Sequence, residues 1–286
     1  MEGSARRRRS TASQRRAGRA QRRNARSDLG ARLVAAVPAL AFALVIVGFG
    51  GWIWVAGLVA LGWVCLHELF GMYEFANPSR LAGFVGIVAL LVAAHSGDQA
   101  SVLGAFVACV PLIFLLCAVQ PRHAGAPGVA VTLLGLTWVG MAFAHAVLLR
   151  DLPHGDGIVI DALVGTFIGD TGAYLGGRTF GTRRLAPSIS PNKTVEGLLI
   201  GFVTCVVAVV LAGLYQDWMT TRQALLLGAA VGAAAPLGDL FESYLKRDVG
   251  TKDTGRLFGP HGGALDRLDA AMFTMVAGFY VWQAML

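Results

Sequence analysis

Between Ser243 and Asp269 a chain that otherwise avoids charge becomes dense with it. The stretch holds Ser243, Lys246 and Arg247, then Lys252-Asp253-Thr254-Gly255, then His261-Gly262-Gly263, and closes on Asp266-Arg267-Leu268-Asp269. Gly238-Asp239-Leu240-Phe241-Glu242 precedes it, and helical i, i+3, i+4 and i+7 spacing puts Asp239, Glu242, Ser243 and Lys246 on one face. Carboxylates are hard oxygen donors suited to a divalent cation, and Lys and Arg bind phosphate. Interleaved around glycine turns at the end of an apolar helix, they suit phosphoryl chemistry on a nucleotide. Other grips are excluded. No Gly-rich loop ends in Gly-Lys-Ser/Thr, so there is no P-loop, and His67-Glu68 opens like a zinc-protease helix but has Gly71 where the second His belongs.

This segment resembles the signature of the phosphatidate cytidylyltransferases, membrane enzymes that make CDP-diacylglycerol from CTP and phosphatidic acid. The matching positions are Ser243, Leu245, Lys246, Arg247, Lys252, Asp253, Gly255, Phe258, Gly259, His261, Gly262, Gly263, Asp266, Arg267, Leu268 and Asp269. Two departures, Gly259-Pro260 for the usual Pro-Gly and Ala264 for a larger apolar residue, touch turn shape and packing rather than charge. A second block is also similar to the family: Asp170-Thr171-Gly172-Ala173-Tyr174, Gly177-Arg178, Phe180-Gly181 and Ser190-Pro191-Asn192-Lys193-Thr194-Val195-Glu196-Gly197. The likeness covers the C-terminal half; the first 150 residues match mainly in hydrophobic pattern.

The resemblance implies metal-assisted nucleotidyl transfer, with Mg2+ and a second, monovalent cation such as K+ as cofactors. A phosphate oxygen of phosphatidic acid attacks the α-phosphorus of CTP in line, and pyrophosphate leaves. Asp239 and Asp266 are then the expected metal ligands. Asp269 is either a third ligand or a helix-dipole partner, and Asp253 either a ligand or a turn residue. Lys193, Lys246, Arg247, Lys252 and Arg267 are candidate phosphate clamps, against the alternative that cations simply mark one side of the membrane. Asn192, Ser243, Gly262 and Gly263 complete the expected substrate contacts. His261 is expected to position rather than to shuttle a proton, because the attacking phosphate is already anionic. Asp161 and Asp170 are read first as helix–helix hydrogen-bonding groups.

The elements that position these groups lie in a bilayer. The chain is 55% hydrophobic and 14% charged, with mean hydropathy +0.61. Nine apolar stretches occur, at about 31–50, 51–72, 81–95, 102–119, 128–149, 157–176, 196–215, 223–241 and 270–286. Most approach the roughly 20 residues of a transmembrane helix, the third and last being short. The sequence therefore predicts an all-α polytopic integral membrane protein of about nine helices. A basic arm (1–30) leads, followed by N-terminal transmembrane helices (31–150) and a C-terminal catalytic transmembrane region (151–286).

The arm contains ten Arg and almost nothing apolar, so it is expected to be disordered and to set topology rather than to bury a core. It has no small-residue cleavage site after its apolar run, as a signal peptide would. With the arm in the cytoplasm, eleven Lys and Arg fall in the even-numbered connections and two, Arg150 and Arg222, in the odd ones. Both family-like blocks then face the cytoplasm of a bacterial inner membrane, where CTP is found. Asn192-Lys193-Thr194, formally a glycosylation acceptor, is accordingly read as part of the site. Cys65, Cys109, Cys117 and Cys205 lie singly in apolar stretches, with no metal spacing and no disulfide framework.

The expected partners are CTP, phosphatidic acid and membrane lipid, with no nucleic acid; a homo-oligomer is compatible with this composition. Two other readings fit polytopic helices. A CTP-dependent polyprenol kinase would move the γ-phosphate to an alcohol. A transporter would spread its charges near the midplane of several helices, whereas here they crowd into two blocks.

Overall fold

Side-chain caps fix where four of the helices begin. In the computed structural model, which describes residues 41–120, 125–255 and 262–286, the Ser79 side chain accepts the Ala82 N–H at the start of α3 (Arg80–Ser96). Asp98 accepts the Ser101 N–H at 2.9 Å to open α4 (Gln99–Ala118). Thr194 accepts the Gly197 N–H at 3.1 Å to open α8 (Val195–Gly213), and Thr220 with Gln223 forms a reciprocal capping box before α9 (Thr221–Asp248). The α2 helix (Gly51–Met72) starts differently. Gly50 and Gly51 take positive φ of 63° and 52°, so helical residues 41–49 (α1) give way to α2 with no loop between them.

The remaining elements follow in order. A continuous helix comprises α5 (Gly125–Gly135), one π turn (Leu136–Gly140) and α6 (Met141–Asp151). Then come α7 (Gly155–Phe180), a hairpin of β1 (Arg184–Ala186) and β2 (Ser190–Thr194), and, beyond α8 and α9, α10 (Leu265–Gln283). The hairpin is antiparallel, pairing Arg184 with Thr194 and Ala186 with Ser190. Ile46–Leu286 form a compact unit that carries the site.

The protein is an all-α integral membrane protein. Among the described residues, six helical segments are long and apolar enough to cross a membrane: α2, α4, the Gly125–Asp151 helix, α7, α8 and α9. The expected nine is not reached within this set. The α3 helix has only 17 residues, α10 carries Asp266, Arg267 and Asp269 near its start, and the first apolar stretch lies partly outside the described residues. Large apolar side chains face outward, with Phe114 63% and Leu199 60% exposed. Such a surface suits hydrocarbon and is unfavourable in water. Inside, Leu66, Phe70, Leu90, Leu136, Leu149 and Leu227 are fully buried. All four cysteines are buried and free, as expected from their isolation in the sequence.

Two close helix crossings bring the charged blocks together. On α7 and α8, a Cβ at Gly201 would lie 2.9 Å from the Gly169 carbonyl and one at Gly197 2.7 Å from the Ala173 carbonyl, so small residues set the approach. On α9 and α10, a Cβ at Gly238 would lie 2.3 Å from the Asp269 carbonyl. The backbone of α10 therefore passes directly over Gly238, the residue before Asp239. Pro236 lies within α9 one turn below the charged end, where it removes a helical N–H.

Candidate active site

The crossing at Gly238 creates the principal cluster of the site. Asp239 and Glu242, three residues apart on α9, meet Asp269 of α10, and one carboxylate oxygen from each lies within 4.8 Å of the others. Glu242 and Asp269 are buried, whereas Asp239 is half-buried. Buried carboxylates this close repel one another unless a cation lies among them. Two protein ammonium groups supply part of that charge. Lys193, at the end of β2, pairs with Asp239, and Lys246 bridges Glu242 to Asp266, at 2.8 Å from Asp266 Oδ1. Among the described residues, Glu242 Oε1 is buried with no hydrogen-bond partner. An orphaned carboxylate oxygen beside two further carboxylates is a hard-oxygen donor set, and it fits a divalent cation such as Mg2+.

Asp266 is engaged differently. Oδ1 meets Lys246, and Oδ2 accepts the Gly263 N–H at 2.7 Å, the Thr254 N–H at 3.0 Å and the Thr254 hydroxyl at 2.9 Å. Burial pulls this carboxyl upward, but the Lys246 ammonium and the Gly263 and Thr254 amides outweigh it and hold the group down to about 2. Asp266 thus gathers the strands of its own loop around itself. Gly262, with φ 81°, supplies the left-handed turn that aims the Gly263 amide at it.

Beside the cluster lies a cavity of about 320 Å³ lined by Ser243, Lys246, Arg247, Lys252, Asp253, Asp266 and Arg267. All seven were candidates from sequence. Four are cations, the chemistry of a polyphosphate site. Lys246 belongs to both places, its ammonium touching the carboxylate cluster and its side chain lining the cavity. Arg247 also donates from Nε to the Ile189 carbonyl at 3.1 Å, which ties the end of α9 to the β hairpin. Lys252 and Asp253 are exposed at the rim, and Asn192 is exposed on β2. His261 and Arg256 lie outside the described residues.

Some groups were not singled out by sequence reasoning. Glu242 was seen only as part of a helical face, although its i, i+3 relation to Asp239 was the available signal. Thr254 stood in the signature without a role, and Glu68, set aside as a failed zinc motif, lies against the same loop. Of the two α7 carboxylates first read as helix–helix hydrogen-bonding groups, Asp170 stands close enough to Asp239 and Lys193 to interact with both. Asp161 instead accepts both of its contacts, at 3.0 Å, from the Gln216 side chain.

A bilayer-embedded helical scaffold with a carboxylate cluster and an adjoining cationic cavity defines a class of membrane enzymes acting on phosphate esters. The cytidylyltransferase family model matches residues 30–285, and the chain belongs to that family. It is 30% identical over 283 residues to a phosphatidate cytidylyltransferase of Synechocystis, covering 87% of this chain and 94% of the relative. Similar enzymes occur in Staphylococcus aureus strain COL, 32% identical over 85% of this chain and 95% of the relative. Another, from Staphylococcus saprophyticus, is 29% identical with the same coverages.

Proposed function

We propose that the protein transfers the cytidylyl group of CTP to phosphatidic acid, forming CDP-diacylglycerol and releasing pyrophosphate. A non-bridging phosphate oxygen of phosphatidic acid forms a bond to the α-phosphorus of CTP, and the bond from that phosphorus to the β-phosphate bridging oxygen breaks. No covalent enzyme intermediate is required. The observation that carries this reading is the contact of two unlike surfaces through Lys246: a cluster of buried carboxylates and a cavity lined by cations.

Asp239, Glu242 and Asp269 are the residues that would hold Mg2+, with Asp266 and Asp253 contributing from the cavity side. When bound, the metal supplies charge neutralisation at the phosphates. The chain's own groups do the rest. Arg247, Lys252 and Arg267 bind and orient the triphosphate, and Lys246 holds its charge between the carboxylates and the leaving pyrophosphate. Lys193, paired with Asp239, is the group proposed to meet the lipid phosphate, with Asn192 beside it in sequence. Gly262 and Gly263 shape the loop that carries the Asp266 contacts, and His261, outside the described residues, is a further proposed positioning residue. A monovalent cation such as K+ is a second proposed cofactor.

We assign the site to the cytoplasmic face of a bacterial inner membrane, because the Lys and Arg bias of the connections places both charged blocks on the side of the basic N-terminus. Lipid then enters from the bilayer and CTP from water. The test uses the full chain in mixed micelles of detergent and phosphatidic acid, with CTP labelled at the α- or the γ-phosphate. Label from the α position alone should enter the lipid, with stoichiometric pyrophosphate release. Transfer of γ-label to lipid would refute the reading in favour of a kinase.

A further inference from the structure

Glu68 is a carboxylate inside an apolar helix whose contacts lie almost 200 residues away in sequence. It is 7% exposed on α2, among Cys65, Leu66 and Leu69, all fully buried. Its Oε1 accepts the Ala264 N–H at 3.0 Å and its Oε2 the Leu265 N–H at 2.9 Å. These are the opening amides of α10, which has no side-chain cap of its own. Glu68 therefore does from another helix what an N-cap does locally: it satisfies orphan amides and opposes the positive end of the helix dipole.

The fit around this carboxylate is tight. A Cβ at Gly263 would lie 2.2 Å from Glu68 Oε2, and one at Gly255 2.5 Å from Oε1. Two glycines of the charged segment thus border the same side chain, an explanation for their smallness that concerns the loop's neighbour rather than its backbone. The Thr254 hydroxyl lies 3.3 Å from Glu68 Oε2 and 2.9 Å from Asp266 Oδ2, and its single proton serves one of them at a time. Five residues beyond Glu68, the Tyr73 hydroxyl donates to Asp248 Oδ2 at 3.1 Å, at the end of α9. Burial and that carboxylate partner push the Tyr73 hydroxyl up to about 12, so it keeps its proton and the contact throughout the physiological range. The last turns of α2 and the Tyr73 that follows them therefore hold the start of α10 and the end of α9.

We infer that Glu68 is a positioning residue for nucleotidyl transfer: by fixing the start of α10 it sets where Asp266 and Asp269 stand relative to Asp239 and Glu242. Its effect on turnover rests on the proposed function, whereas its hold on α10 does not. At the crossing, Gly238 already abuts the Asp269 carbonyl, so loss of Glu68 frees chiefly the first turn of α10, where Asp266 sits. Misplacement of a reacting or ligating group by about 1 Å costs up to about a hundredfold in rate.

The experiment uses the full chain in detergent with Glu68→Gln, Glu68→Asp and Thr254→Val. For Glu68→Gln, kcat should fall about tenfold and the Mg2+ concentration for half-activation should rise about fivefold, while KM for CTP stays within about twofold. The rise in Tm caused by Mg2+ alone, without substrate, should shrink as well. Glu68→Asp should restore part of each loss, and Thr254→Val should move the same readouts in the same direction. A role confined to stability would lower Tm equally with and without Mg2+ and leave half-activation unchanged, and that result overturns the inference. A second arm introduces Gly263→Ala into the native and the Glu68→Asp backgrounds and reads Tm. The shortened side chain makes room for the methyl, so the loss should be clearly smaller in the second background. Equal losses would also overturn it. If the native chain shows no transfer to phosphatidic acid, the functional reading falls, while the Mg2+ shift and the glycine cycle still decide the role of Glu68.

Discussion

Replacing Glu242 by Gln is the sharpest test of the carboxylate cluster, because the structure separates the effect on chemistry from the effect on folding. Glu242 is 1% exposed, one oxygen pairs with Lys246 and the other has no hydrogen-bond partner among the described residues. Removing one member of a buried ion pair usually costs about 3 to 5 kcal/mol of stability, because the remaining charge is stranded. Here Lys246 keeps Asp266 at 2.8 Å. The loss should therefore be nearer about 1 to 2 kcal/mol, the scale of one charge-assisted hydrogen bond. The chemical effect should be larger. Two unit charges about 4 Å apart at an effective dielectric of about 20 interact by about 4 kcal/mol. Only the part that differs between ground and transition state enters the barrier. If about half or somewhat more does so, the barrier rises by about 2 to 3 kcal/mol, or roughly 30- to 150-fold in kcat. The assay is steady-state release of pyrophosphate at saturating CTP and phosphatidic acid, with Tm measured on the same preparation. A variant that keeps near-native turnover while its Tm falls would show that Glu242 only balances Lys246, and the metal assignment would fail.

Asp239→Asn and Asp266→Asn should each lower kcat by at least about a hundredfold while the protein folds, and the double variant should lose far less than the product of the two, since both act in one assembly. Asp269→Asn should be milder and partly rescued by raised Mg2+ in the same assay. For orientation, Cys at Arg183 should label only from the cytoplasmic side and Cys at Asp156 only from outside, both being exposed positions. Asp156 is preferable to its neighbour Gly155, where a Cβ would lie 2.2 Å from the Arg150 carbonyl; reversed labelling would refute the proposed orientation. Deleting residues 2–26 should leave turnover in detergent within about twofold, and a tenfold loss, about 1.4 kcal/mol of barrier, would give the basic arm a part in catalysis.

The membrane class, the family and the segment that carries the donor groups were legible in the amino-acid order alone. Apolar stretches of membrane length carry that information locally, since a helix satisfies its own backbone hydrogen bonds wherever it sits in hydrocarbon. Caps such as Asp98, Thr194 and Thr220 act over three residues, a local signal that hydropathy alone did not single out. The charged segment displayed its donor types because so little else in the chain is charged. How those donors are divided was decided only in three dimensions. Asp239, Glu242 and Asp269 meet because Gly238 admits the backbone of α10, whereas Asp266 is drawn into its own loop by Thr254 and Gly263. Lys193 reaches Asp239 through the α7–α8 approach and the β hairpin. Glu68 was the least legible of all. Its partners are main-chain amides 196 and 197 residues away, and an amide looks the same at every position of a sequence, so only the packing of α2 against the start of α10 could reveal the contact.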